Sequence, residues 1–234
     1  MLSNTGWLDG ITASGVVIFG IVFGLYFISH SKKVKAKLLF YVGVLVILAG
    51  LAFLGVFLDF LNVIITGKNL DNSFGIVGLL SYVWIAPLIV IGIYIGAELM
   101  TPKRKGILTG IYIVLMGIFE ILLFLDPFGS FDFTYPNKSG DALIDYNLNL
   151  GSPAGILMII FILSMIGFLG IGFLIKAFQA TGEIRKKFLL LSLGVFLYCI
   201  FGLLESLIVP GYALIIIRIG YISGPLFMYF GLKE

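Results

Sequence analysis

FLLLSLGVFLYCIFGLLESLIVPGYALIIIRIGYISGPLFMYF, residues 188–230, is two apolar runs joined at Val209-Pro210-Gly211. Each run holds about 20 residues, which as an α-helix crosses a hydrocarbon core about 30 Å thick. Proline ends one helix for want of an N–H and glycine permits the reversal, so two antiparallel neighbours are expected. Working outward, five similar runs precede them, giving the set 11–30, 38–63, 74–100, 106–126, 154–179, 188–209 and 212–231. Backbone groups in lipid must be satisfied within such a segment, which leaves helices; barrel strands would be alternating segments of about ten residues. The composition agrees: 60% of residues are hydrophobic and 12% charged, with a mean hydropathy of +1.16. A soluble domain carries about 25% charged residues. The expected fold is therefore a single all-α integral membrane domain over 1–234, a seven-transmembrane helix bundle, multi-pass in the cell membrane. The runs fill nearly the whole chain and leave no room for a soluble catalytic domain.

Charge on the loops predicts the orientation. SKKVKAK (31–37), PKRK (102–105) and EIRKK (183–187) hold ten of the fifteen basic residues and follow the first, third and fifth runs. The other face has Lys68 and Lys138 beside Asp9, Asp71, Asp126, Asp132, Asp141 and Asp145. Cytoplasmic loops are the basic ones, so the N-terminus is expected outside and the C-terminal GLKE inside. The basic loops also suit anionic headgroups, which makes the lipid bilayer the first partner; no nucleic-acid role is expected. MLSNTGWLDG carries no Lys or Arg, so the first helix is expected to be retained. Cys199, the sole cysteine, lies within the sixth run as a packing residue, and His30 is an interfacial residue at an inner helix end.

One connection is long, PFGSFDFTYPNKSGDALIDYNLNLGSP (127–153), a candidate lid or ligand-contacting loop on the outer face. Within it Asn137-Lys-Ser fits a glycosylation sequon. GIVFGLYFISHSKKVKAKLL (20–39) also aligns without a gap on GIGFLIKAFQATGEIRKKFL (170–189). Tyr82 and Pro87 echo Tyr221 and Pro225, which suggests a 3+1+3 arrangement of parallel repeats about the fourth helix. Repeats of that kind are a common basis for transporters with a central site.

Ionisable groups inside a membrane are costly enough to be paired or functional. Four are expected there: Asp59, Glu120, Glu205 and Arg218, each on a different helix and all in the outer part of the bilayer. The tight turn sets Glu205 and Arg218 within reach of a charge-assisted pair. Three carboxylates against one guanidinium leave a surplus of acid, to be resolved by protonation, a cation, an amine or water. Tyr82 and Trp84, beside the helix-kinking Pro87, are candidates to line the same pocket, since buried Tyr and Trp seek partners for their polar atoms. No Walker lysine, HExxH or CxxC occurs, so neither catalysis nor a cofactor is expected.

Among seven-helix families, the absence of a lysine in 212–231 excludes a retinal Schiff base, and the receptor patterns DRY and NPxxY are missing. LLSYVWIAPLIVIGIYIG (79–96) followed by TPKRK resembles the tyrosine- and proline-bearing third helix and basic inner loop of the seven-transmembrane sensory module of prokaryotic histidine kinases. KAFQATGEIRKKFLLLSLG (176–194) is similar to that module's link from fifth to sixth helix. No kinase follows, so the resemblance implies a stand-alone sensor working through a separate cytoplasmic signalling partner, with oligomerisation open. Sugar transporters of the SWEET type share the helix count, but carry prolines in helices 1, 2, 5 and 6, where this chain has none. The expectation is a receptor-like membrane sensor taking a small molecule or ion from the outer side at Asp59, Glu120, Glu205, Arg218, Tyr82 and Trp84. The alternative is a small transporter or channel of two three-helix repeats.

Overall fold

The computed structural model describes residues 2–208 and 210–232. Six helices are long and apolar enough to cross a membrane, and a bent pair makes up to a seventh span. The chain is thus an α-helical, multi-pass membrane bundle. The first span, α1 (Asn4–Val34), starts seven residues earlier than its apolar run, because Ser3 caps it by accepting from the Gly6 N–H at 3.2 Å. Asp9, expected in an outer loop, consequently lies inside α1 and is buried. The left-handed Lys35 (φ 56°) closes this helix.

The second run is not straight. It forms α2 (Lys37–Leu51) and α3 (Leu54–Thr66), bent by 46°. Neither Pro nor Gly stands at Ala52 and Phe53; the cause is a pair of hydrogen bonds from elsewhere in the chain. Phe53 N–H turns to the Gly50 carbonyl, and the Ala49 carbonyl it would meet in a regular helix accepts from the Tyr221 hydroxyl at 3.1 Å. Gly55 N–H donates to Ser81 Oγ at 3.0 Å instead of to a carbonyl of its own helix. A Cβ on Gly55 would stand 2.0 Å from the Val77 carbonyl oxygen, so this approach needs glycine.

The third span is α4 (Ile76–Tyr82) running into α5 (Ile85–Met100), with an interruption four residues before the imino nitrogen of Pro87. A 3₁₀ turn, Pro102–Arg104, leads to α6 (Lys105–Leu125). This helix is the least enclosed: Ile107, Ile111, Val114, Ile118, Ile121 and Leu125 all face outward, as a lipid-facing helix requires. The long connection folds as α7 (Pro127–Ser130) and a hairpin of β1 (Phe131–Thr134) with β2 (Asp145–Leu148), pairing Phe131 with Leu148 and Thr134 with Asp145. Helix α8 (Pro153–Ser164), a π-helical stretch at Met165–Ile171 and α9 (Gly172–Gln179) form one span. Helices α10 (Gly182–Glu205) and α11 (Ala213–Leu232) complete the bundle. They are antiparallel neighbours in close contact, since a Cβ on Gly194 would meet the Gly224 carbonyl oxygen at 2.6 Å. Of the expected turn between them, Val209 lies outside the described residues, as do Lys233 and Glu234 of GLKE.

Candidate functional site

Three helices meet at one arginine. Arg218 stands six residues into α11, Glu205 ends α10, and Asp9 lies six residues into α1. Arg218 Nη2 donates to Asp9 Oδ1 and to Glu205 Oε1, both at 2.7 Å, and Nε donates to Glu205 Oε1 at 3.1 Å. Nη1 donates to the Asp9 carbonyl at 2.7 Å and to Thr12 Oγ1. A guanidinium has five N–H donors, and here every one is used. The Phe53 ring covers its carbon at 5.1 Å. Side-chain exposure is 5% for Arg218, 8% for Asp9 and 20% for Glu205, so the clasp is dry at its centre and open at Glu205.

That open side gives onto a cavity of about 370 Å³, within the range of roughly 300–1,000 Å³ typical of small-molecule sites. Every span except α6 contributes to its wall. Phe53 and Val56 come from the bend, Tyr82 and Ile85 from the interruption in the third span, and Met165 from the π-helical stretch. The irregular points of three spans thus converge on one space. Tyr198, Cys199 and Tyr221 form another wall; the Tyr198 and Tyr221 hydroxyls lie 2.8 Å apart, and Tyr221 donates onward to Ala49. The hairpin closes the end of the bundle with Asp132, Ile144, Asp145 and Tyr146.

This cover is tied down rather than loose. Tyr146 donates its hydroxyl to Ser81 Oγ, the atom that also holds Gly55 at the bend. Asp59 accepts from Leu70 N–H at 2.7 Å, Ile144 N–H at 2.8 Å and Asn69 Nδ2 at 2.9 Å. Ser3 N–H donates to the Asp141 carbonyl at 2.8 Å. The hairpin is thereby pinned to α1, α3 and α4, and Phe131, Ile144 and Leu148 are buried beneath it.

The wall carries more acid than base. Asp9, Asp132, Asp145 and Glu205 face it with Arg218. Glu205 Oε2 is buried with no hydrogen-bond partner among the described residues, a costly condition for a carboxylate oxygen. Burial first, and then the neighbouring Asp9 carboxylate, push the Asp145 carboxyl above its ordinary value of 3.8, while the Tyr146 N–H pulls the other way. Burial likewise raises the Tyr146 hydroxyl, which stays protonated as a donor.

Of the six residues singled out by sequence, Glu205, Arg218 and Tyr82 border this cavity. Asp59 does not; it is fully buried and engaged with loop backbone, a structural anchor. Glu120 does not either, because its helix α6 is the span that the cavity omits, and its carboxyl oxygens have no partner among the described residues. Trp84, in the break between α4 and α5, donates its indole N–H to the Leu80 carbonyl of the same span at 2.8 Å and lies off the cavity. Sequence reasoning missed Asp9, Thr12, Asp145 and Tyr146. For Asp9 a signal existed: Ser3 immediately before Asn4 is an N-cap pattern that starts the helix early. The short hairpin carried no comparable signal. No protein-family model matches the sequence, and a comparison with curated proteins finds no match.

Proposed function

We propose that this chain is a seven-span membrane sensor, receptor-like in layout, that takes a small molecule or ion into the cavity beneath the hairpin. The bent pair α2–α3 counts as one span, the N-terminus and hairpin lie outside, and the basic loops face the cytoplasm, where a signalling partner would read the state of the helices. One observation carries the reading: a cavity of about 370 Å³ bordered by a buried ion-pair clasp and by the irregular points of three spans. A ligand there touches α1, α10 and α11 together, and can bias their packing only by contacting one arrangement better than another. The resemblance of 79–96 and 176–194 to kinase-linked sensory modules points the same way.

The rival is a transporter. Its specific support is the set of broken spans at a central site, at Ala52–Phe53, Val83–Trp84 and Met165–Ile171, since transporters use discontinuous helices there. The glycine-close contacts join the first span to the second at Gly20 and Gly50, the second to the third at Gly55 and Val77, and the sixth to the seventh at Gly194 and Gly224. The last two are the equivalent pairs of a 3+1+3 repeat, so the packing leaves the rival standing and uptake into proteoliposomes separates the two readings.

A compound panel screened by thermal stability of the protein in lipid nanodiscs tests the reading. The expected result is a stabilising compound whose effect disappears in Ile89→Trp, which fills the cavity. Uptake of that compound into proteoliposomes, lost in the same variant, would transfer the assignment to transport. Orientation is checked with an impermeant thiol reagent on intact cells in a Cys199→Ser background: Ser139→Cys should label, and Lys103→Cys should not.

A further inference from the structure

Granting that the cavity is a ligand site, we infer that its ligand is an organic cation, a protonated amine on an apolar body. The polar atoms decide the charge. Among the described residues the one cation at the wall, Arg218, has no N–H left to offer, because all five go to Asp9, Thr12 and Glu205. The hydroxyls of Tyr146 and Tyr221 donate to Ser81 and Ala49, and Tyr198 is left to donate to Tyr221. Ser206 donates to the Gly202 carbonyl at 3.3 Å, and the Tyr82 hydroxyl lies against Ser206 and the Leu148 N–H. An anion would therefore meet four carboxylates and, apart from Tyr82, hydroxyls that are already donating. What remains open is acceptor capacity: Glu205 Oε2, buried and without a partner among the described residues, and the Asp145 carboxylate, whose Oδ1 accepts from the Tyr146 N–H at 3.0 Å. A buried carboxylate is stabilised by a charge-assisted donor, and an ammonium supplies up to three.

The rest of the wall decides the body. Val56, Ile85, Leu88, Ile89, Met158 and Ile162 offer no polar atom beyond backbone, which suits hydrocarbon. Tyr82 and Tyr146, their ring centroids 6.1 Å apart, line the same cavity as the acids, and tyrosine rings attract cations. A metal ion fits less well, because among the described residues no three His, Cys, Asp or Glu side chains converge as a metal-holding group. Hard cations need several oxygens at once.

Cys199, the chain's only thiol, lines this cavity and serves as a built-in reporter. The full-length protein in nanodiscs is treated with three methanethiosulfonates of similar size bearing trimethylammonium, hydroxyl or sulfonate ends. Each rate is divided by that reagent's rate with the denatured protein. The inference expects trimethylammonium to react fastest and sulfonate slowest, the extremes differing by about tenfold or more, as focusing of charge in a low-dielectric cleft produces. The spread should shrink in both Asp145→Asn and Glu205→Gln, so that one misfolded variant does not decide the matter. It should also shrink when phenethylamine, but not phenethyl alcohol, is added in excess. Labelling in which the neutral or anionic reagent is as fast as the cation overturns the cationic class and leaves an accessible cavity standing. No labelling by any reagent, either at Cys199 or at a cysteine placed on the same wall by Leu203→Cys, with the denatured protein reacting normally, removes the ligand-site reading itself and this inference with it.

Discussion

Arg218→Met is the sharpest test of the three-helix clasp. The substitution keeps an unbranched apolar side chain and removes five hydrogen bonds, three of them to carboxylates. Its main cost is what it leaves behind: Asp9 and Glu205, at 8% and 20% side-chain exposure, lose their counter-charge. Breaking a buried ion pair from one side typically costs about 3–5 kcal/mol, whereas exchanging a whole buried charged set for apolar or neutral groups is often close to neutral. The two carbonyl and hydroxyl partners matter less, because Thr12 still donates to the Leu8 carbonyl at 2.7 Å and Asp9 keeps its helix. The expected order is therefore a single variant destabilised by about 3–5 kcal/mol and a triple variant, Asp9→Asn with Glu205→Gln and Arg218→Met, within about 1–2 kcal/mol of wild type. Equilibrium unfolding in mixed micelles by increasing SDS, followed by far-ultraviolet circular dichroism, measures both. Ordinary interhelical hydrogen bonds in membranes average only about 0.6 kcal/mol. A single variant costing that little, or a triple as costly as the single, would refute the account of a desolvated clasp.

Three further outcomes follow from local geometry. Asp59→Ala strips the acceptor from Leu70 N–H, Ile144 N–H and Asn69 Nδ2; it should cost about 2–4 kcal/mol and speed hydrogen exchange at Leu70 and Ile144, with unchanged exchange counting against the anchor. Tyr221→Phe leaves the Ala49 carbonyl without a donor and Tyr198 without an acceptor, for an expected loss of about 1–2 kcal/mol and faster exchange at Ala52 and Phe53, where an unaltered bend would show neither. Asp145 is raised above 3.8 in the folded protein, so it binds its proton more tightly there than in the unfolded chain. Its ionised form then burdens the fold above the folded value, and the burden fades as pH falls toward 3.8. Asp145→Asn should accordingly raise the melting temperature near neutral pH, by a margin that shrinks on acidification; a margin constant with pH would exclude this cause.

The spans were legible because lipid removes alternatives: about 20 apolar residues can satisfy their backbone there only as a helix. The pairing of Glu205 with Arg218 was legible for a related reason, since a short turn fixes which helices are neighbours. Depth alone was a poorer guide. Asp59 and Glu120 share the layer of the clasp by residue counting, yet one faces loop backbone and the other sits on the span that leaves the cavity wall. Rotation about the helix axis decides between these fates, and because lipid is as apolar as a packed interior, hydrophobic periodicity does not tell which face of a span points inward.

The bend at Ala52–Phe53 escaped notice for a different physical cause. Its local sequence, LAGLAFLG, has no proline, and helix interruption arises where Ser81 and Tyr221 supply groups that replace the helix's own at Gly55 and Ala49. Those partners are 26 and 172 residues away, beyond any local pattern. The same two side chains border or support the cavity, Tyr221 directly and Ser81 through Tyr146. A straight second span would return Phe53 N–H to Ala49 and Gly55 N–H to its own helix, leaving Tyr221 and Ser81 with unmet partners and carrying Phe53 away from the face of Arg218. Hydrogen bonds consequently join the bend to the cavity wall, through Tyr221 and through Ser81 and Tyr146, and the bend meets the clasp where the Phe53 ring covers Arg218.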